Sequence, residues 1–306
     1  MKYAAIEIGT NSTKMIIVQK DASNSFSVLH KSTTVNRLSR NMFENCMLQQ
    51  EALNSGMNII RSYMKDIEAS KAELVSVFST SVLRDANNSS LFMAEVKKQC
   101  GCDIDVISGN QEAFYAYKAA SGLMESEHEK SIVVDIGGGS TEIIYGDKRN
   151  IDHRISLDIG AVRLTQLYCK SDRLANEQIC QVTKNIRGEL DELPDMAHKK
   201  AILIGTGGTI KTMATVFSNS DYSDESKIHG LVVPGSAVND IFHELANMDV
   251  EARKAVKGLD PKRADVIIAG LQILQEVMRK FKASQIKISS AGVLEGFMEQ
   301  YISLHS

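Results

Sequence analysis

The sequence lacks any uninterrupted apolar stretch near the roughly 20 residues that a membrane-spanning helix requires. It also lacks the marks of a secretory leader. Met1-Lys2-Tyr3-Ala4-Ala5-Ile6-Glu7 runs straight into a strand-like pattern, with neither an apolar leader core nor a cleavage site. A cytoplasmic protein without a membrane partner is the expectation. Cysteine is sparse: five residues, an odd number without Cys-x-x-Cys spacing, and Cys100-Gly101-Cys102 is too tight for a usual zinc knuckle. These thiols read as reduced. An excess of positive charge is missing as well. With a formal net charge of -3 the chain has no global field to gather nucleic acid, so no nucleic-acid polymer is expected as a partner. Any bound anion must be held locally, by backbone amides and a few basic side chains.

What is present is ordinary for a globular chain, 43% hydrophobic and 24% charged, which excludes disorder and collagen-like repeats. The 306 residues suit two domains, since single cores stop growing beyond about 250 residues. The runs at 3 to 8 and 14 to 18 predict a hairpin around the small, polar turn Gly9-Thr10-Asn11-Ser12-Thr13. Apolar residues at helical spacing predict a helix near 50 to 68, followed by a strand at 74 to 80. A helix at 88 to 99, a strand at 103 to 107 and a helix at 110 to 120 continue an α/β alternation. A solvated connection near 121 to 130 leads to a second strand, 131 to 135. The second half then predicts a helix near 160 to 169, a long helix 175 to 193 ending at Pro194, and a strand 201 to 204. Next come the loop Gly205-Thr206-Gly207-Gly208-Thr209, a helix 210 to 217, a helix 262 to 280, a strand 286 to 289 and a last helix from Leu294 to about Tyr301.

The first hairpin repeats. Residues 7 to 16 and 135 to 144 share five identities in ten positions at an offset of 128, with an acid at the head of each copy. Duplication of a domain fits this period better than a short solenoid repeat; a chance likeness of two hairpins is the alternative. Both turns place glycine ahead of Ser-Thr, so that backbone can approach an oxyanion and hydroxyls can add donors. Glu7 and Asp135, two residues before these glycines, are hard oxygen ligands suited to magnesium across a cleft. Each hairpin alone also reads as a tight surface turn with a capping acid. The strand, glycine loop and helix around Gly207, Gly208 and Thr209 form a third arrangement suited to anions. In Thr80 to Asn87, Arg84 can fork onto phosphate oxygens or pair with Asp85. In Ser108-Gly109-Asn110-Gln111-Glu112-Ala113, Glu112 falls in a first helical turn, as a candidate base or simply as a favourable helix-start acid.

With these motifs the chain resembles the exopolyphosphatase and guanosine pentaphosphate phosphatase family of the actin, hexokinase and Hsp70 ATPase superfamily, over nearly its whole length. The most specific pieces are residues 135 to 142, Gly9 to Ser12, Thr80 to Asn87, Ser108 to Ala113 and Gly205 to Lys211. Weaker support comes from His229-Gly230, from Pro261 to Asp265, and from Ala291-Gly292 with Glu295-Gly296.

The resemblance implies an actin-like ATPase fold: two duplicated ribonuclease H-like domains, 1 to 120 and 121 to 293, with the active site in the cleft between them. A final helix, about 294 to 306, returns to the first domain. By similarity Glu112 is the general base, and Asp135 and Glu142 organise magnesium or water, with Glu7 a further metal ligand. Gly9, Asn11 and Ser12 form the first phosphate loop and Gly137, Gly138, Gly139, Ser140 and Thr141 the second, joined by Arg84, Gly207, Gly208 and Thr209. Magnesium or another divalent cation is the implied cofactor. Polyphosphate or guanosine penta- or tetraphosphate is the implied ligand, and a homodimer the implied assembly.

Three departures stand out. Glu7 replaces the family's usual aspartate, Ser39-Arg40-Asn41 follow Arg37-Leu38 where the family has glycine and an acid or glutamine, and Leu294 replaces an arginine before Glu-Gly. Extra positive charge at 40 would alter substrate preference. A sugar or acetate kinase, and a sensor that binds guanosine tetraphosphate or polyphosphate without turnover, are the other readings.

Overall fold

The computed structural model describes residues 1 to 21, 25 to 169, 171, 173 to 193 and 201 to 305. The chain divides into two compact units, Met1–Lys118 joined by the segment from Val293 on, and Ala119–Gly292.

In the first unit, β1 (Lys2–Ile8), β2 (Ser12–Lys20), β3 (Phe26–Val35), β4 (Glu73–Ser79) and β5 (Asp105–Val106) form a sheet of order β3-β2-β1-β4-β5. β1 pairs antiparallel with β2 and parallel with β4. Helices α1 (Gln50–Ala69), α2 (Ser81–Asp85), α3 (Ser89–Cys100) and α4 (Gly109–Ala120) complete the run. Side chains of β1 alternate between two cores. Ala4, Ile6 and Ile8 pack with Met57, Ile60, Phe92 and Val96 on one face, and Tyr3 and Ala5 pack with Ala116 on the other. Because both faces are covered, the strand is apolar at almost every position and does not alternate with polar residues.

The second unit carries β6 (Ser131–Ile136), β7 (Thr141–Gly146), β8 (Ile151–Leu157), β9 (Ile202–Thr206), β10 (Val232–Pro234) and β11 (Gln285–Ile288) in the order β10-β11-β9-β6-β7-β8. Its helices are α5 (Ala161–Tyr168), α6 (Asn176–Asp191), α7 (Gly208–Phe217), α8 (Gly235–Ala246), α9 (Val250–Lys254) and α10 (Ile267–Lys280). α10 is buried along nearly its whole length and forms the spine of the core with Val182, Ile186, Val238 and Leu245. A last helix, α11 (Val293–Leu304), belongs to the first unit, where Val293, Leu294, Met298 and Ile302 fill the core beside Tyr3 and Phe78. Leu294 is therefore a core residue: where the family carries a cation, this chain buries an apolar side chain.

The two sheets repeat one plan. Glu7 opposes Lys14 and Ile8 opposes Thr13 across β1 and β2, while Asp135 opposes Glu142 and Ile136 opposes Thr141 across β6 and β7. Each turn closes with the same bond, Gly9 N–H to the Ser12 carbonyl at 3.0 Å and Gly137 N–H to the Ser140 carbonyl at 3.0 Å. The duplicated ribonuclease H-like arrangement is thus matched residue for residue at the hairpins.

The elements differ from expectation at several points. β3 and β8, the third strand of each repeat, carry no period that announces them, and β10, α2, α8 and α9 were likewise not anticipated. α7 begins at Gly208, so Gly208 and Thr209 form a first helical turn, not a loop. The expected helix 262 to 280 splits into a short 3-10 turn at Pro261–Arg263, capped by Asp260, and α10 proper. α6 ends at Asp191, and the expected stop at Pro194 lies outside the described residues. Among the described residues no helix is long and apolar enough to cross a membrane.

Candidate active site

In the first unit the turn after β1 is tight because Gly9 makes it so: a Cβ there would sit 2.9 Å from the Ser12 carbonyl oxygen. Thr10 and Ser81 share a hydroxyl hydrogen bond of 2.8 Å, which ties the turn to the start of α2. Asn11 is buried, and its Nδ2 has no hydrogen-bond partner among the described residues. A buried donor left in this state costs free energy unless a ligand or water meets it. Ser12 is buried beside it.

Glu112 is positioned by a capping box. Ser108 Oγ accepts from the Gln111 N–H, and Gln111 Oε1 accepts from the Ser108 N–H at 2.9 Å, fixing where α4 starts and which way the next residue faces. Arg84, on the five-residue α2, donates to the Ile107 carbonyl at 2.9 Å and to Glu112 Oε2 at 3.4 Å. The partner of Arg84 is thus the candidate base, not Asp85.

Glu7 is almost wholly buried. Its Oε1 accepts from Lys14 Nζ at 2.8 Å, and its Oε2 has no hydrogen-bond partner among the described residues. The expected metal ligand thus carries an ion pair with Lys14. Ser39 is fully buried, donating to the Thr10 carbonyl at 3.1 Å, while Arg40 faces solvent.

In the second unit Asp135 and Glu142 are cross-strand partners, both buried. Ser156 donates to Glu142 Oε1 at 2.7 Å. Gly207 has φ of +93°, and a Cβ there would run into Asp135 Oδ1 and lie 2.6 Å from the Ile136 carbonyl. Only glycine lets the start of α7 come this close to the acid. A Cβ at Gly208 would overlap the Arg263 guanidinium. Arg263, quoted above only as part of a motif, is therefore a cation at the helix start. Burial draws its pKa down against the pull of Asp260, Asp265 and Glu225, but a guanidinium stays charged. Thr141, expected to donate to phosphate, gives its hydroxyl hydrogen to the Ile159 carbonyl at 2.6 Å. Ser140 and Thr209 are buried nearby.

Among the described residues no three His, Cys, Asp or Glu side chains group as a metal centre. Magnesium does not need one, because it is usually held by one or two carboxylates plus water and phosphate oxygens. Asp135 and Glu142 fit that donor set: they are two buried carboxylates at opposed cross-strand positions, beside the second glycine turn. The matching positions in the first unit hold an acid and a base, Glu7 and Lys14, 2.8 Å apart. A hint of this lay in the repeat, where Lys14 aligns with Glu142.

The model of the Ppx/GppA phosphatase family matches residues 16–305. A bifunctional 3-dehydroquinate synthase/phosphatase of Fusobacterium nucleatum is 33% identical over 306 residues, which cover 96% of this chain and 45% of that protein. The chain thus spans less than half of that relative. Exopolyphosphatase 2 of Mycobacterium tuberculosis is 28% identical over 311 residues, covering 96% of this chain and 97% of that one. Among solved structures, the Ppx/GppA family member of Aquifex aeolicus superposes with a TM-score of 0.83 at 29% identity, covering 100% of this chain and 99% of that one. With the family matched from residue 16 to residue 305, the chain belongs to the Ppx/GppA phosphatase family.

Proposed function

We propose that this chain is an exopolyphosphatase that releases orthophosphate from the end of inorganic polyphosphate, using magnesium or another divalent cation, as a cytoplasmic homodimer. The observation that carries the reading is the buried pair Asp135 and Glu142 directly beside the glycine turn 137 to 139. Two carboxylates whose oxygens suit magnesium, next to a turn that suits an oxyanion, support a place for a metal-bound phosphate.

Glu112 accepts a proton from water as the water oxygen attacks the terminal phosphorus. The phosphorus–oxygen bond to the bridging oxygen breaks, and that oxygen leaves on the chain now one phosphate shorter. Arg84 orients the Glu112 carboxylate. Asn11, Ser12 and the amides of the second turn bind phosphate oxygens, with Gly207, Gly208 and Thr209 supplying the start of α7. Asp135 and Glu142 would hold magnesium, which supplies charge neutralisation when bound. Phosphoryl transfer demands little else, since positioning and charge stabilisation account for most of its catalysis.

Guanosine pentaphosphate is the alternative substrate: a guanosine-5'-triphosphate,3'-diphosphate pyrophosphatase of Photobacterium profundum is 26% identical over 304 residues. The test is phosphate release with magnesium from long polyphosphate, tripolyphosphate and guanosine pentaphosphate, beside Glu112→Gln. Preference for guanosine pentaphosphate would reassign the substrate. Binding without turnover on all three would make the chain a sensor.

A further inference from the structure

A backbone turn binds an anion through its N–H groups only if its carbonyl oxygens are turned elsewhere. In the second unit every glycine carbonyl of the 137 to 139 turn is occupied from behind. The Gly137 carbonyl accepts from Ala161 N–H at 3.0 Å, and the Gly138 carbonyl from Val162 and Arg163 N–H at 2.8 and 3.0 Å. The Gly139 carbonyl accepts from Arg163 Nε at 2.7 Å. The first two carbonyls are held by backbone that any residue would supply. The third depends on one side chain.

The strap that does this is pressed onto the turn, because a Cβ at Gly160 would overlap the Gly138 and Gly139 backbone. Arg163 is braced at its other end by Asp158, 3.2 Å from Nη2. The first unit holds its turn in the same way. Asn36 and Arg37 N–H donate to the Asn11 carbonyl at 3.0 and 3.1 Å, and Ser39 Oγ donates to the Thr10 carbonyl at 3.1 Å. In both repeats the segment after the third strand draws the carbonyls back and a side chain completes the set.

We propose that Arg163 is a positioning residue for phosphate binding, acting through the Gly139 carbonyl to keep the 137 to 139 turn amide-outward; this rests on the phosphate-site reading above. Its Nε, not its charge, does the work. That distinction is testable, because glutamine places an N–H donor the same number of bonds from Cα as Arg163 Nε, whereas lysine keeps the charge but puts a methylene there.

Arg163→Met, Arg163→Gln and Arg163→Lys are compared for kcat and KM on tripolyphosphate, for tripolyphosphate binding by calorimetry, and for thermal midpoint. The expectation is an increase in KM of about two- to tenfold for Met, the worth of one ordinary hydrogen bond, with Gln recovering most of it and Lys little. Recovery by Lys and not by Gln would make Arg163 a direct cation on the phosphate chain and overturn the inference, as would wild-type values for Met. If Met fails to fold, the order of Gln and Lys still decides. A wild-type chain that neither binds nor hydrolyses any phosphate chain defeats the proposed function itself, a result separable from any ranking of variants.

Discussion

Arg84 reaches Glu112 across 28 positions of sequence, and its Nη1 serves both the Glu112 carboxylate and the Ile107 carbonyl. The guanidinium therefore sets the direction of the acid. Glu112→Gln keeps the shape and removes the base, so kcat should fall by about 10² to 10⁴, the usual worth of general-base catalysis, with binding retained. Arg84→Lys keeps the charge but replaces the planar, rigidly held guanidinium with a flexible ammonium that fixes the acid's direction less well. It should lower kcat about tenfold, a smaller loss, as read by steady-state phosphate release.

Magnesium is expected to raise the thermal midpoint of the wild-type chain, as any ligand of the folded state does. Glu142→Gln should abolish that rise. Glu7→Gln should leave it in place, because Lys14 already neutralises Glu7. A rise that survives Glu142→Gln but disappears with Glu7→Gln would move the cation to the first hairpin. Scanning calorimetry with and without chelator reads the result.

Gly207→Ala should destabilise the protein by roughly 1 to 3 kcal/mol, the cost of a non-glycine residue in that backbone region, and should displace Asp135 and abolish turnover. Gly188 lies in α6 with nothing near its would-be Cβ. Gly188→Ala should therefore stabilise by about 0.5 to 1 kcal/mol and leave activity intact. Chemical denaturation of the two variants side by side checks both signs.

Asp147 is held down to about 2 by Lys130, then by the N–H groups of Arg149 and Asn150. A depressed folded-state pKa contributes stability that is present above the unfolded value and lost as pH falls through the folded one. The difference in thermal midpoint between the wild type and Asp147→Asn should thus be full above about pH 4. It should shrink as the pH falls to about 2. A pH-independent difference would mean that the geometry of the turn, not the charge, is what Asp147 supplies.

The hairpins were legible because glycine and hydroxyl residues in a turn leave a local signature, and because the copy at 135 repeats it. β3 was not, since an edge strand such as Phe26–Val35, largely exposed, has no buried face to impose a period. α8 places Val238, Ile241, Phe242 and Leu245 at helical spacing, a periodic signal that the sequence does carry. The limits of α7 were missed because glycine usually ends helices, whereas Gly208 begins one, where its bare backbone makes room for Arg263. Ion pairs were the least legible. Nothing local says that Arg84 turns to Glu112, or that Ser39, which looked like part of a change in surface charge, is a buried donor to Thr10. Such pairings are set by the fold, not by the neighbours of each residue.

The return of α11 to the first unit has a consequence for the order in which the protein is made. Gly296 meets the Tyr115 backbone so closely that a Cβ there would overlap its carbonyl, and Phe297 packs its ring at a tilt against Phe78 and edge-to-face with Tyr115. Domains usually complete themselves as they leave the ribosome, amino-terminal first. Here the order inverts: the second unit is continuous and can close on its own residues, while the first must wait, with the pocket for Val293, Leu294 and Met298 open to solvent, until α11 has been translated.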